Sequence, residues 1–171
     1  DLLGSRGLGD VYKRQPLMGS VGLKFATYSY YDPASHGVDF SGMVDDLKAA
    51  KPGDVVLLHG CCHNPSGADL TLEQWSVIAD MTIAQGFTVL VDLAYQGMGQ
   101  GLAEDVAGLR LLATRLGELI VAASCSKNLG LYRERTGAAL FYGKDTQTAA
   151  ATQSHGLGAA RRVYSLSLIH I

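Results

Sequence analysis

The sequence predicts an α/β domain, a mostly parallel open sheet with helices between its strands and one antiparallel strand. Three observations carry this. Short apolar and β-branched runs at 55–59, 87–92 and 119–123 recur at roughly one strand–helix crossover apart. Between them, apolar residues return at helical spacing. A fourth run, 137–142, follows the third too closely for a crossover and therefore has to return antiparallel. Composition agrees: of 171 residues 47% are apolar and 18% charged, with 21 Gly and only 4 Pro, which excludes a disordered or collagen-like chain.

The elements follow in order. Residues 23–30 can form a first strand and 41–50 a first helix. Lys51-Pro52-Gly53-Asp54 is a turn signal, and Val55–His59 behind it reads as a buried strand. Over 71–84, Leu72, Trp75, Ile78, Ala79 and Ile83 repeat at helical spacing, with Thr71 placed to cap the start and Gly86 the end. Trp75 belongs to that apolar stripe, as a packing residue. Residues 87–92 form the next strand, 102–116 a helix with Leu109, Leu112 and Leu116 on one stripe, and 119–123 a third strand. Residues 137–142 and a helix over 146–163 complete the series. There is no internal repeat and no low-complexity linker.

The two ends read differently. Asp10-Val11-Tyr12-Lys13-Arg14-Gln15 can be encoded by GAT GTG TAT AAG AGA CAG, whose reverse complement encodes Leu166-Ser167-Leu168-Ile169-His170-Ile171. Two unrelated hexapeptides are thus one DNA word read in both directions. The word resembles a transposase adapter used to fragment DNA for sequencing, which also translates as Ser5-Arg6-Gly7-Leu8-Gly9. Residues 1–15 and 166–171 are therefore expected to be adapter translation that packs poorly, and residues 16–165 to be the natural sequence.

Several classes of function are excluded. Fourteen basic against sixteen acidic residues leave a net charge of −2 and no electrostatic footprint for nucleic acid. No apolar run approaches the roughly 18 residues of a membrane span. Three cysteines, two of them adjacent, make no disulfide framework, and no secretory signal is visible, so a cytoplasmic protein is expected.

In an open α/β sheet, ligands bind beyond the carboxyl ends of the strands. The strand ends deliver Asn64, then Asp92 and Tyr95, then Ser124, Ser126 and Lys127. The antiparallel strand begins at the same rim and brings Arg135. A lysine among apolar strands and near an arginine suits an amine nucleophile or Schiff-base former. A carboxylate such as Asp92 is the partner expected for the pyridinium nitrogen of pyridoxal phosphate. Arg135, Ser124 and Ser126 can hold a phosphate, and Tyr95 and Asn64 can donate to a phenolic oxygen.

The motifs sharpen this. His59-Gly60-Cys61-Cys62-His63-Asn64-Pro65-Ser66-Gly67, Thr71-Leu72-Glu73-Gln74-Trp75, Asp92-Leu93-Ala94-Tyr95-Gln96-Gly97 and the stretch from Ser124-Cys125-Ser126-Lys127-Asn128 to Arg135-Thr136-Gly137 resemble the class I pyridoxal-phosphate aminotransferases acting on aspartate and aromatic amino acids. The resemblance spans about Val21 to Ser165. It implies the large domain of a fold-type I pyridoxal-phosphate enzyme, incomplete here. It implies an amino-group transfer, in the full-length parent, between aspartate or an aromatic amino acid and 2-oxoglutarate, by way of a Schiff base to the cofactor. Carried over residue by residue, Lys127 bonds the cofactor, Asp92 pairs with its ring nitrogen, and Tyr95 and Asn64 bind its 3′-oxygen. Ser124 and Arg135 then hold the phosphate, and the Asn64–Pro65 bond is expected to be cis. Lys127, Asp92 and Tyr95 are the expected catalytic residues. A homodimeric parent is implied too.

The departures are as specific. The family's Gly-Thr phosphate turn, ring-stacking Trp, second substrate-carboxylate Arg, N-terminal arm and small domain have no counterpart in this sequence, so an inactive fragment is one alternative. A lyase on the same fold is another, against which the Asp92-x-Ala-Tyr95 motif argues. Gly97-x-Gly99-x-Gly101 fails as a dinucleotide fingerprint because Leu102 stands where the third glycine belongs. Cys61-Cys62-His63 lacks a second ligand pair at zinc spacing, so no metal is expected.

Overall fold

The computed structural model describes residues 2–5, 19–20 and 22–163. The elements that lie wholly among the described residues follow one another as β1 (Leu2–Ser5), β2 (Phe25–Tyr28), β3 (Tyr31–Asp32), β4 (Gly37–Val38), α1 (Phe40–Leu47), β5 (Val55–His59), α2 (Leu72–Gln85), β6 (Thr88–Leu93), α3 (Ala107–Arg115), β7 (Leu119–Ser124), β8 (Gly137–Tyr142) and α4 (Thr146–Val163). The main sheet has the order β2-β1-β5-β6-β7-β8, and β3 pairs with β4 in a small hairpin. Every pair in the main sheet is parallel except β7 with β8, so the predicted architecture and its single antiparallel strand are both present.

Local chemistry sets the boundaries. Thr71 and Gln74 form a reciprocal capping box at the start of α2, and Gly86 ends that helix at φ 76°, a left-handed conformation that side chains disfavour. Asp39 caps α1 by accepting the Gly42 N–H at 2.9 Å. Because β5, β6 and β7 succeed one another across the sheet, right-handed crossovers put α2 and α3 on one face. That face holds the core: Val56, Leu58, Val89, Val91, Leu93 and Val121 pack with Met43, Leu47, Trp75, Ile78, Ala79 and Leu112.

Two expectations differ from the structure. The helix read over 102–116 begins only at Ala107. Residues 97–101 wrap around the Asp105 carboxylate, which takes the backbone N–H groups that a longer helix would have needed. The packing expected of residues 1–15 also fails at Leu2–Ser5, which lies inside the sheet between β2 and β5. Leu3 is buried beside its register partner Val56, so a short apolar run completes the row of hydrogen bonds between two strands that need a neighbour. Residues 6–15 and 166–171 lie outside the described residues. Among the described residues no helix is long and apolar enough to cross a membrane.

Candidate active site

The strand register decides which side chains can meet. His59 is opposite Asp92, Asp92 is opposite Ala122, and Ser124 is opposite Gly137. Neighbours in register project to the same face, so His59, Asp92 and Ser124 share the face that α2 and α3 leave open. That face is bare enough for Ala122 to be exposed.

The loop after β5 carries Asn64. Asp69 pins it, accepting the Cys62 and His63 N–H groups at 2.7 and 2.9 Å. His63 stacks on Tyr30 at 3.9 Å and bonds Ser66 Oγ through Nδ1 at 2.7 Å. Burial raises the Tyr30 hydroxyl well above the ordinary tyrosine value, with the Asp69 charge adding to it. The Asn64–Pro65 peptide is cis, as the motif implied, and the Asn64 N–H points to His59 Nδ1 at 3.5 Å.

The loop after β6 carries Tyr95, and the loop after β7 carries Lys127. Lys127 Nζ lies 2.6 Å from the Tyr95 hydroxyl and 4.1 Å from the ring centroid, so the two loops are joined at this pair. Ser124 Oγ accepts the Ser126 N–H at 3.2 Å and bends the chain back under Lys127. Asn128 beside it has a buried Oδ1 with no hydrogen-bond partner among the described residues. Arg135, at φ 54°, is exposed just before β8 and donates to the Tyr132 carbonyl at 3.0 Å.

The structure thus joins Lys127 and Tyr95 directly, and puts Asp92 and Ser124 on the same open face. Asn64 and Arg135 flank them at the strand ends. The cavities lined by described residues alone include none of the six. The cavity of about 350 Å³ on the helix-covered side is lined by none of them. At the rim Asn64, Asp92, Tyr95, Ser124 and Lys127 are half-buried and Arg135 is exposed.

Asp69 and Asp105 are two residues that sequence reasoning missed. Asp105 is buried and accepts N–H groups from Gly97, Gly99, Gln100 and Gly101, which shapes the loop behind Tyr95. Burial alone would raise its carboxyl, but these four donors hold it below the ordinary aspartate value. A glycine-rich run with an acidic residue a few positions later was the available signal. Cys61, Cys62 and Asp105 bring ligand atoms within 4.8 Å of one another. Burial, with the neighbouring charges, pushes the Cys61 thiol up to about 12, and the Asp105 oxygens are already taken, so the cluster reads as structural.

The donor set suits an anionic pyridine. It offers an amine held by a phenol, a carboxylate on the adjacent strand, and a hydroxyl and a guanidinium at the next strand ends. An amine, an acid and a phosphate cradle on one ledge can bind a carbonyl compound covalently and move a proton beside it.

Comparison with known proteins places this ledge in a family. The sequence model of "Aminotransferase class I and II" matches residues 16–166. The aromatic-amino-acid aminotransferase of Paracoccus denitrificans is 53% identical over 154 residues, 90% of this chain and 39% of that protein. The aspartate aminotransferase of Escherichia coli K12 is 48% identical over 146 residues, 85% of this chain and 37% of its own length. Among solved structures, an aromatic amino acid aminotransferase with 3-indolebutyric acid superposes with a TM-score of 0.93 at 48% identity, covering 99% of this chain and 42% of that one. An aromatic-amino-acid aminotransferase from Burkholderia pseudomallei, covalently bound to pyridoxal phosphate, gives 0.91 at 34% identity, with the same coverage. The chain spans about two fifths of the length of these relatives.

Proposed function

The chain belongs to the class I and II aminotransferases, and on that premise we propose that its full-length parent transfers an amino group between aspartate or an aromatic amino acid and 2-oxoglutarate. The observation that carries the proposal is the Lys127–Tyr95 pair at 2.6 Å, on the same open rim as Asp92 and Ser124. We assign Lys127, Asp92 and Tyr95 as catalytic, with Asn64, Ser124 and Arg135 completing the cofactor site. Both relatives quoted above act, by their names, on aromatic amino acids or aspartate, which supports that substrate class.

Bound pyridoxal phosphate supplies an electron sink for the pair left by a departing α-proton. The rest of the work falls to the side chains. The Lys127 amine holds the cofactor and, once released, takes and returns a proton at the substrate's α-carbon. The Tyr95 hydroxyl keeps that amine at the rim. The Asp92 carboxylate holds a proton on the ring nitrogen, where its charge is worth most as electrons arrive. The Arg135 guanidinium and Ser124 hydroxyl orient the phosphate, and Asn64 shares the ring oxygen with Tyr95. The parent is, in this proposal, a cytoplasmic homodimer, in keeping with three free cysteines.

For the 171-residue chain alone we infer no turnover, since it spans only about two fifths of the length of its relatives. The domain assignment is proposed alongside: residues 16–165 as part of the cofactor-binding large domain, with 1–15 and 166–171 as adapter translation. The family match over 16–166 supports it. Resequencing the source DNA across both ends, then assaying the restored gene with aspartate, phenylalanine and 2-oxoglutarate, tests both ideas. Oxo-acid formation is expected. A restored enzyme that releases ammonia or an alkene instead would point to the lyase alternative.

A further inference from the structure

Two buried histidines, His59 and His63, have no part in the chemistry proposed for the rim, although His63 is only 2% exposed and stands next to Asn64. Asp92 is held by the hydrogen-bonded register of β6, but between β5 and α2 the chain forms neither strand nor helix. Asn64 therefore depends on side chains and turns for its place. A hydrogen-bond donor serves a bound cofactor only when held within about 0.5 Å of the productive position.

The residues around Asn64 supply that hold. His63 precedes Asn64, and Ser66 follows Pro65, so the bond between His63 Nδ1 and Ser66 Oγ at 2.7 Å bridges the Asn64-Pro65 unit from end to end. A main-chain bond spans the same unit, the Gly67 N–H donating to the His63 carbonyl at 2.6 Å. Ser66 Oγ also accepts the Ala68 N–H at 3.2 Å, and the Tyr30 hydroxyl donates to the Ala68 carbonyl at 2.8 Å. The bridge is anchored in turn. The His63 ring stacks on Tyr30 with centroids 3.9 Å apart and meets the His59 ring at 4.5 Å. His59 closes the circuit, its Nδ1 facing the Asn64 N–H at 3.5 Å.

We propose that His63 is a positioning residue: joined to Ser66 and packed on Tyr30 and His59, it holds Asn64 against the 3′-oxygen of the cofactor. The proposal rests on the cofactor reading of the rim and adds to it a residue that touches neither cofactor nor substrate.

The test reads the 3′-oxygen itself, in the full-length parent. That oxygen shares a titrating proton with the Lys127 nitrogen of the lysine-bound cofactor, and the absorbance changes as the proton leaves. A donor stabilises the negative charge of the oxygen and lowers the pH midpoint, so loss of the donor raises it. Asn64→Ala should raise the midpoint by about one pH unit. His63→Phe keeps a packed ring without the bond to Ser66 and should raise it by about half a unit. Ser66→Ala should act in the same direction from the other end of the bond, and decides the matter where His63→Phe does not fold. Ser66→Thr, which keeps the hydroxyl, should leave the midpoint at the parent's value. Added to Asn64→Ala, either disruptive change should give no further shift, because it acts only through Asn64. A lowered thermal midpoint with an unmoved absorbance midpoint overturns the proposal, and so does a shift that adds in full to that of Asn64→Ala. An unmoved midpoint in Asn64→Ala itself would instead sink the cofactor reading, and the proposal with it.

Discussion

Along β6 the side chains alternate between two unlike surroundings. Val89 and Val91 are fully buried among residues of α2 and α3, while Thr88, Leu90 and Asp92, one position out of phase, are only half-covered. The contrast recurs on β7, where Val121 belongs to the closed face and Ala122 and Ser124 to the open one. It is lost on β5, where Leu57 and His59 of the open face are buried as well as Val56 and Leu58. On β8 both faces are exposed, and Leu140, Phe141 and Tyr142 have little over them. The closed face is sealed by segments adjacent in sequence, each helix folding back on the strand before it. The open face carries the proposed site, and among the described helices only α4 lies on it, against Ala139 and Phe141 of β8. In that proposal stability and function occupy opposite sides of the same strands, and substitutions should separate them.

The largest separation is expected at the rim. In the full-length parent, Lys127→Ala should abolish the absorbance of the lysine-bound cofactor and cut turnover by several orders of magnitude, while the thermal midpoint of the cofactor-free protein stays close to that of the parent. Asp92→Ala should retain the lysine-bound absorbance but lower kcat with little change in KM, because a carboxylate facing the ring nitrogen acts mainly in the transition state. Single-turnover absorbance decides the matter: unchanged turnover in the Asp92 variant would make that carboxylate a strand-end cap.

Next come two leucines of similar size on opposite faces. Leu58→Ala removes a side chain that is 1% exposed and should cost about 2–5 kcal/mol in urea denaturation of the chain. Leu90→Ala, on the open face, should cost about half of that or less, since water already reaches it. Equal losses would mean that the open face is sealed in solution.

A smaller effect is expected from Asp105, which lies between the two sides by holding the loop behind Tyr95. Its carboxyl is lowered in the fold, so its contribution is full above the unfolded value of about 3.9 and fades as pH falls below it. Asp105→Asn should therefore cost about 1–3 kcal/mol at neutral pH, and the penalty should shrink in acid as the wild-type carboxylate also protonates. A penalty that stays constant down to pH 2 would show that the charge is irrelevant and only the shape of the side chain matters.

Much of this division was legible in the sequence. The strands of the closed face announce themselves as β-branched runs, and α2 carries both of its stop signals, Thr71 and Gly86. The rim positions followed from crossover arithmetic and the direction of β8. The late start of α3 was not legible, because Leu102 fits the helical stripe while the structure spends residues 97–105 on a carboxylate-centred loop. Nor was the surface around the rim. Spacing places Asp92 and Lys127 at one edge but says nothing about what covers them. Leu2–Ser5 shows the opposite limit: four residues expected to stand apart pair with β2 and β5 because two strands with free hydrogen-bonding edges accept a short apolar run of suitable register.

The smallest effect sets two helix caps against each other. Thr71 caps α2 on the closed face: its Oγ1 accepts the Gln74 N–H at 3.3 Å, and Gln74 Oε1 returns a bond to the Thr71 N–H at 2.9 Å. Asp145 caps α4 by accepting the Thr148 N–H at 2.6 Å, and that bond lowers its carboxyl. The two caps are locally alike, but α2 buries Trp75, Ile78, Ala79 and Thr82, whereas α4 rests on little beyond β8. Loss of a cap reaches global stability only if the helix unfolds together with the core. Thr71→Ala should accordingly lower the unfolding free energy by about 1 kcal/mol. Asp145→Ala should leave the urea midpoint where it was, and show itself only as lost helical circular dichroism and faster amide exchange in α4. In the unmutated chain the same fraying should develop as pH falls through the lowered Asp145 value. A midpoint shift in the Asp145 variant as large as that in the Thr71 variant would mean that α4 and the open side fold as one unit with the closed side, and the division between the faces would fail.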